Sequence, residues 1–442
     1  MILRKNYYYY VYLTLLIGII IGIIIGIIVP MILLKFSFYQ LYILVFILLI
    51  IYSHIKYNLV NILNPISFYL LYYFIFVAFG GLFAPKYSNR ILISEKVFLL
   101  VLIGALFFIL GSMFYRILSK RIVPNIYKKS IYSTWEYNKA NYLSLSLILI
   151  GSMLTFYYYY LAGTIPILNE NADYFRVQVK EGKSWLYLLS YGFYLVGLLI
   201  FSLNNMNIGK YKTSIIISFL GCIIFIGLGY RSPAFQLLLM SYVLYSYFKY
   251  RKIKLFRVLI FGLILLFLIG LTGSIRSKGV DVISQYNIIW LTLEWRFFVQ
   301  ISNIQMIFDW ISNNQYLYGK SLVIDLLTLL PGYQPSFAIW LKDVMGMDFA
   351  GGFTTTLVGE AYANFGFLGV IILSLLMGFI GQGTYYFIIK KENINLYEIG
   401  VLLLISFSIG SMVSSGIFTA LKNVLLPFLG LYLVITKLFL NK

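Results

Sequence analysis

The sequence predicts an all-α polytopic membrane protein with about twelve transmembrane helices and one large outer loop that carries short helices. Three observations lead there. The 442 residues are 61% hydrophobic and only 11% charged, too apolar for a water-soluble domain of this size. Clusters of charge alternate with apolar runs, each near the roughly 20 residues that a helix needs to cross the hydrocarbon. One long break, between Thr272 and Thr356, interrupts the series.

Along the chain the spans fall at about 8–29, 36–52, 62–83, 97–118, 141–162, 185–203, 213–229, 234–249, 256–273, 357–389, 396–416 and 422–439. The first follows Arg4 and Lys5 as a signal peptide would. Its apolar stretch is long and no small-x-small cleavage site follows, so it reads as an uncleaved anchor. Gly18, Gly22 and Gly26 recur on one face of it, a helix-packing signal. The tenth is overlong, so it tilts or begins above the lipid. The chain therefore divides into an N-terminal bundle (1–273), an extracytoplasmic loop (274–356) and C-terminal helices (357–442), acting as one functional unit.

Orientation follows from Lys and Arg, which accumulate in cytoplasmic loops. With the N-terminus inside, 20 of the 34 basic residues fall in cytoplasmic segments, against only Glu136, Glu392 and Glu398 among the acidic ones. Both termini are then cytoplasmic, in a multi-pass protein of the cytoplasmic membrane. The same sorting removes nucleic acid as a partner for a chain of net charge +20, because charge in short loops beside helix ends meets anionic headgroups. The 41 Tyr and 37 Phe are mostly lipid-facing or interfacial, as Tyr7 to Tyr10 and Tyr157 to Tyr160 illustrate.

Other chemistry is excluded by what is missing. Cys222, the only cysteine, sits inside an apolar span, and His54, the only histidine, lies in a cytoplasmic connection. No disulfide, thiolate or histidine metal site is expected, and no cofactor. There is no Walker loop and no dinucleotide fingerprint, so energy must come from the substrate or a gradient. Any outside catalysis must use carboxylates, Arg, Lys or Tyr.

The outer segments do offer such groups. GTIPILNENADYFRVQVKEGKS, Gly163 to Ser184, carries Arg176; the turn GYRSP places Arg231 at a helix end; Arg276 and Lys278 follow the ninth span; Arg296 lies in the long loop. A lone outer Arg contacts headgroups, but recurrence at several entrances to one region favours an anion site. Within the long loop, Tyr286 to Ile311 interleaves Glu294, Arg296, Gln300, Asn303, Gln305 and Asp309 with aromatic residues, as an amphipathic helix on or dipping into the membrane surface would. PGYQP, Pro331 to Pro335, separates two further short apolar pieces, and the whole forms a cap over a cavity. The tenth span opens with GGFTTTLVGEAYANFGFLG, in which Thr354 to Thr356 cap a helix whose free amides make an anion cradle. Thr356, Glu360 and Asn364 share one face. A carboxylate within a membrane helix is costly unless it points inward, so Glu360 is either functional or a hydrogen-bond anchor.

These segments resemble the Wzy-type polymerases of surface polysaccharides. The likeness rests on TIPILNENADYFRV, on LGYRSPAFQLLLM and on GGFTTTLVGEAYANFGFLGVIILSLLMG after the long loop. It implies a GT-C-like architecture and a reaction that joins lipid-linked oligosaccharide repeat units on the outer face of the cytoplasmic membrane. Donor and acceptor are then oligosaccharides on polyprenyl diphosphate, with a flippase and a chain-length regulator as further partners. For that reaction Arg176, Arg231, Arg276 and Arg296 are the candidates for binding diphosphate, and Glu360 and Glu294 for accepting the acceptor proton. Related ligases share the architecture but typically place a histidine in the large outer loop, where this chain has none. A flippase or other transporter is a further reading, although such proteins are usually built of repeated halves and no internal repeat is found here.

Overall fold

In a computed structural model the described residues are 37–59, 61, 63–119, 130–169, 172–180, 183–250, 255–278, 286–328, 335–349 and 351–440. The first expected span, with its glycine stripe, lies outside them. A reciprocal cap opens the described chain: the Ser37 hydroxyl accepts the Gln40 N–H at 3.3 Å while Oε1 of Gln40 accepts the Ser37 N–H at 3.0 Å. It starts α1, Phe38–Tyr57, which ends at Asn58 with a left-handed φ of 54°. Helix α2, Pro65–Phe83, begins on an Asn64 cap with proline in its first turn, then widens into a π turn at Phe74–Ala78. There follow α3, Glu95–Ser119; α4, Tyr137–Ala162; α5, Ala172–Lys180; α6, Ser184–Asn207; α7, Tyr211–Ile226; α8, Arg231–Tyr250; and α9, Leu255–Lys278. The long connection then forms α10, Tyr286–Ser312, α11, Lys320–Leu327, and α12, Phe337–Val344. The chain closes with α13, Leu357–Ile389, α14, Leu396–Ser415, and α15, Ile417–Leu440.

Eight of these, α1, α2, α3, α4, α6, α13, α14 and α15, are long and apolar enough to cross a membrane. The count is lower than the twelve expected from composition, and two physical reasons account for three of the four missing spans. Helix α7 and the stretch Ile260–Ile275 of α9 are apolar but shorter. Helix α8 carries Arg231, Gln236, Lys249 and several tyrosines among its apolar residues. The remaining span is the first, outside the described residues.

Two hydrophobic cores hold the helices. One joins α4, α6, α7 and α8 to α14 and α15; the other joins α1, α2, α3 and α10 to α13, with the far end of α14 reaching into it. The tightest approach is between α3 and α13, where a Cβ on Gly378 would stand 1.9 Å from the Phe108 carbonyl oxygen and one on Gly111 1.9 Å from that of Leu375. Without lipid-excluding hydrophobicity to drive it, such packing depends on small residues that let backbones touch. At the end of the bundle away from the long connection, strand β1, Ser130–Tyr132, pairs in parallel with β2, Asn393–Asn395.

The long connection is built into this bundle. Phe298, Ile301, Ile304 and Ile307 of α10 are fully buried against α2, α3 and α13. Its apolar face is thus spent on protein contacts, where the sequence pattern alone is that of a surface-lying helix. The overlong tenth span is also resolved. Helix α13 is broken at Phe365 and Gly366, Gly366 having φ 63° and ψ −150°, so a short first piece, Leu357 to Asn364, precedes the long one.

Candidate functional site

Two groups of polar side chains meet at the end of the bundle that carries the long connection, joined by the segment Gly351 to Thr356.

The first group is cationic. Arg176 on α5 stacks with its guanidinium 5.0 Å from the centroid of the Tyr230 ring, and the Tyr230 hydroxyl donates back to the Arg176 carbonyl at 3.2 Å. Asp173, one turn earlier, accepts from Arg176 Nε at 3.3 Å and from Nη2 at 3.2 Å. The turn that presents Tyr230 needs Gly229 twice over: its φ is 77°, and a Cβ there would come 3.1 Å from Arg176 Cδ. Arg231, the next residue, opens α8 and donates from Nη1 to the Ile269 carbonyl at 3.1 Å. Its guanidinium occupies space left by Gly273, where a Cβ would lie 2.3 Å from Nη1. The glycine turn before α13 closes the set, the Cβ position of Gly351 being 3.9 Å from Arg176 Nη2. Three segments far apart in sequence thus converge on Tyr230 and Arg176.

The other two expected cations stand differently. Arg276 lies in the last two turns of α9, beyond Gly273, and its side chain is outside the described residues. Arg296 is half-buried on α10, on the helical face that also carries Gln300 and Asn303. That face addresses the joining segment, for Asn303 Nδ2 donates to the Thr354 carbonyl at 2.9 Å and to its Oγ1 at 2.6 Å. The Gln300 side chain is fully buried and neither of its polar atoms has a hydrogen-bond partner in the protein.

The second group is centred on two buried carboxylates. Thr356 begins α13 with φ 58° and ψ 159°, a conformation that a β-branched residue rarely adopts. Its hydroxyl accepts the Gly359 N–H at 2.9 Å, so the chain's own oxygen fills the amide cradle expected for an anion. Glu360 is 1% exposed. Its Oε2 accepts the Ile417 N–H at 2.5 Å at the start of α15, the Ser321 hydroxyl and Phe418 N–H also face it, and Oε1 has no hydrogen bond of ordinary geometry. One turn on, Asn364 donates to the Glu360 carbonyl and to Ser321 Oγ, both at 2.8 Å, and its Oδ1 accepts the Gly319 N–H at 2.8 Å. Asp325 on α11 is 2% exposed and fully engaged: Oδ1 accepts Lys422 Nζ at 2.9 Å and the Phe337 N–H at 3.0 Å, and Oδ2 accepts Thr419 Oγ1 at 2.7 Å. The long connection is thereby tied to both α13 and α15.

Glu294, the other expected proton acceptor, is committed elsewhere. It forms an ion pair with Lys86 of the short connection between α2 and α3, and the Tyr87 hydroxyl donates to it at 3.4 Å. The carboxylate beside it raises the Lys86 ammonium above its ordinary pKa. Among the described residues no group of three or more His, Cys, Asp or Glu is arranged to hold a metal ion.

Against this geometry, a family model described as "Putative O-antigen polymerase" matches residues 61–424. The chain belongs to the O-antigen polymerase family. No curated protein and no solved structure matches it significantly. As a member, this polymerase is a membrane protein with a glycosyl-transferring role in O-antigen biosynthesis. The matched stretch contains every group described above, from Lys86 to Lys422.

Sequence reasoning about the polymerase missed Asp325, Lys422 and Lys86. A signal existed for the first two. Each is a charge within a mostly apolar helix, Asp325 in KSLVIDLL and Lys422 near the start of α15, and two such charges of opposite sign are cheapest when paired.

Proposed function

We propose that this protein polymerises oligosaccharide repeat units carried on a polyprenyl diphosphate, with the reaction on the outer side of the cytoplasmic membrane at the Arg176 and Arg231 end of the bundle. One observation carries the reading. Two guanidinium groups from separate connections lie at the turn that presents Tyr230, Arg176 over its ring and Arg231 as the next residue, with Nη1 on the Ile269 carbonyl. A guanidinium stays protonated and binds phosphate oxygens through its fork, so such a pair suits a diphosphate leaving group. In the step proposed, an acceptor hydroxyl oxygen bonds to the donor's anomeric carbon while the bond from that carbon to the diphosphate oxygen breaks. The diphosphate leaves with the electron pair, and its charge is met by Arg176 and Arg231; Arg276 and Arg296 are the further candidates that the sequence offers. The acceptor proton goes to a carboxylate. Glu360 keeps one oxygen without a hydrogen bond and is assigned that role; Glu294 is bound to Lys86 and is not. No nucleotide enters, because the diphosphate ester already activates the sugar.

The reading is tested in cells lacking the protein and complemented with variants. Arg176→Ala and Arg231→Ala are expected to lower polymer formation about 100-fold to 1000-fold, the usual loss for one preorganised donor. Lys at either position should rescue poorly. Single repeat units on their carrier should accumulate outside the membrane. Normal polymer in both Ala variants removes the diphosphate assignment, and units trapped inside point to a flippase instead.

A further inference from the structure

At the end of the bundle away from Glu360, three spanning helices bring basic groups together. Lys56 stands in the last turn of α1 and Arg116 in the last turn of α3, both half-buried and near enough for their charges to repel. The Arg116 guanidinium sits 4.8 Å from the centroid of the Tyr57 ring and donates from Nη2 to Gln382 Oε1 at 3.2 Å. The platform beneath it is fixed, since the Tyr57 hydroxyl and Ser112 Oγ are 2.5 Å apart and the Ser67 hydroxyl donates to the Tyr57 carbonyl at 2.9 Å. Two donors held by this arrangement have nothing to bond: Arg116 Nε and Gln382 Nε2 are buried without a hydrogen-bond partner. Among the described residues no carboxylate forms a salt bridge with Arg116.

Adjacent like charges and buried unpaired N–H groups are each costly, and an anion with several acceptor oxygens relieves both costs at once. From Phe367 to Gln382 helix α13 advances about 22 Å, so this anion is not the diphosphate of the reaction centre. The surroundings indicate its source. Ile55 beside Lys56, and Phe114 and Leu118 flanking Arg116, are exposed apolar side chains at 79%, 48% and 58% of their surface, which suits acyl chains.

We propose that Lys56, Arg116 and Gln382 form a binding site for the phosphate of a lipid headgroup, in the membrane leaflet opposite the long connection. Lys56 supplies a point charge, Arg116 the directional donors and Gln382 an amide oriented by Arg116.

The full-length protein in neutral detergent is titrated with phosphatidylglycerol, with phosphatidylcholine or with inorganic phosphate, and thermal unfolding is followed. Phosphatidylglycerol should raise the melting temperature of the wild type more than phosphatidylcholine does. Arg116→Gln and Lys56→Gln should each weaken that response by at least about tenfold in apparent affinity, the effect of losing one charge-assisted contact. Gln382→Leu keeps the volume and both cations and should cause a smaller loss; it serves as the reading if the Arg116 variant fails to fold. Unchanged affinity for phosphatidylglycerol in the variants that fold, or an equal wild-type response to phosphatidylcholine, overturns the site. A response to inorganic phosphate at the affinity seen for phosphatidylglycerol overturns the lipid assignment in favour of a free anion.

Discussion

Glu360 has one oxygen bound to the start of α15 and the other without a hydrogen bond, an arrangement that serves an anchor and a proton acceptor differently. Glu360→Gln preserves shape and can still accept the Ile417 N–H, so membrane protein levels should be normal. If the charge takes the acceptor proton, polymer falls by about 100-fold or more. Full polymer from Gln, with Ala alone lowering abundance, would reduce Glu360 to an anchor. Asp325 allows a cleaner expectation, because every contact it makes is to a named partner. Asp325→Ala strands the Lys422 ammonium and the Phe337 N–H, and breaking a buried pair from one side costs about 3 to 5 kcal/mol. A depressed melting temperature is expected, with partial recovery when Lys422→Met is added. Equal stability of Asp325→Ala and wild type would show that the pair does not hold the long connection to α15.

At the scale of the element, the break in α13 decides where Glu360 points. Gly366 adopts φ 63° and ψ −150°, a region that essentially only glycine occupies, and a Cβ there would also meet the Tyr316 hydroxyl at 2.9 Å. Gly366→Ala should therefore lower stability by about 1 to 3 kcal/mol. It should also reduce polymer more than abundance, because the short helix bearing Glu360 would rotate relative to the long one. Gly378→Val acts on the neighbouring contact by a different route, forcing α3 and α13 apart where their backbones touch. Its expected outcome is loss of folded protein, read as loss of a monodisperse peak in detergent. A Val variant that purifies normally would contradict the close approach.

For the whole molecule, the arrangement of ends is the testable quantity. The site lies with the long connection, while β1, β2, Lys56 and Arg116 lie at the other end. A cysteine introduced at Gly319 should react with an impermeant thiol reagent in intact cells, and one at Lys391 should be shielded until the membrane is opened. Cys222 is buried and should not label in either case. Reaction at Lys391 in intact cells would invert the orientation and place the proposed chemistry on the wrong side for a lipid-linked donor delivered outside.

Membrane class, helical content, the single long break and the candidate cations were legible in the sequence, because each depends on local composition: apolar length sets a span, and a charge amid apolar residues marks a site wherever the chain goes. The i, i+4, i+8 spacing of Thr356, Glu360 and Asn364 also placed them on one helical face at the start of α13, since helical periodicity is local. What only the tertiary structure decided were the pairings between distant segments. Arg176 stacks on Tyr230, Glu294 is taken by Lys86, and Asp325 finds Lys422 across 97 positions of sequence. The same holds for α10, whose amphipathic pattern suits a membrane surface and a buried groove equally well. A residue's composition and spacing state what it needs, a partner for its charge or cover for its apolar face. Which partner supplies it depends on packing of helices that touch far apart in the chain, and that information is carried by no single segment.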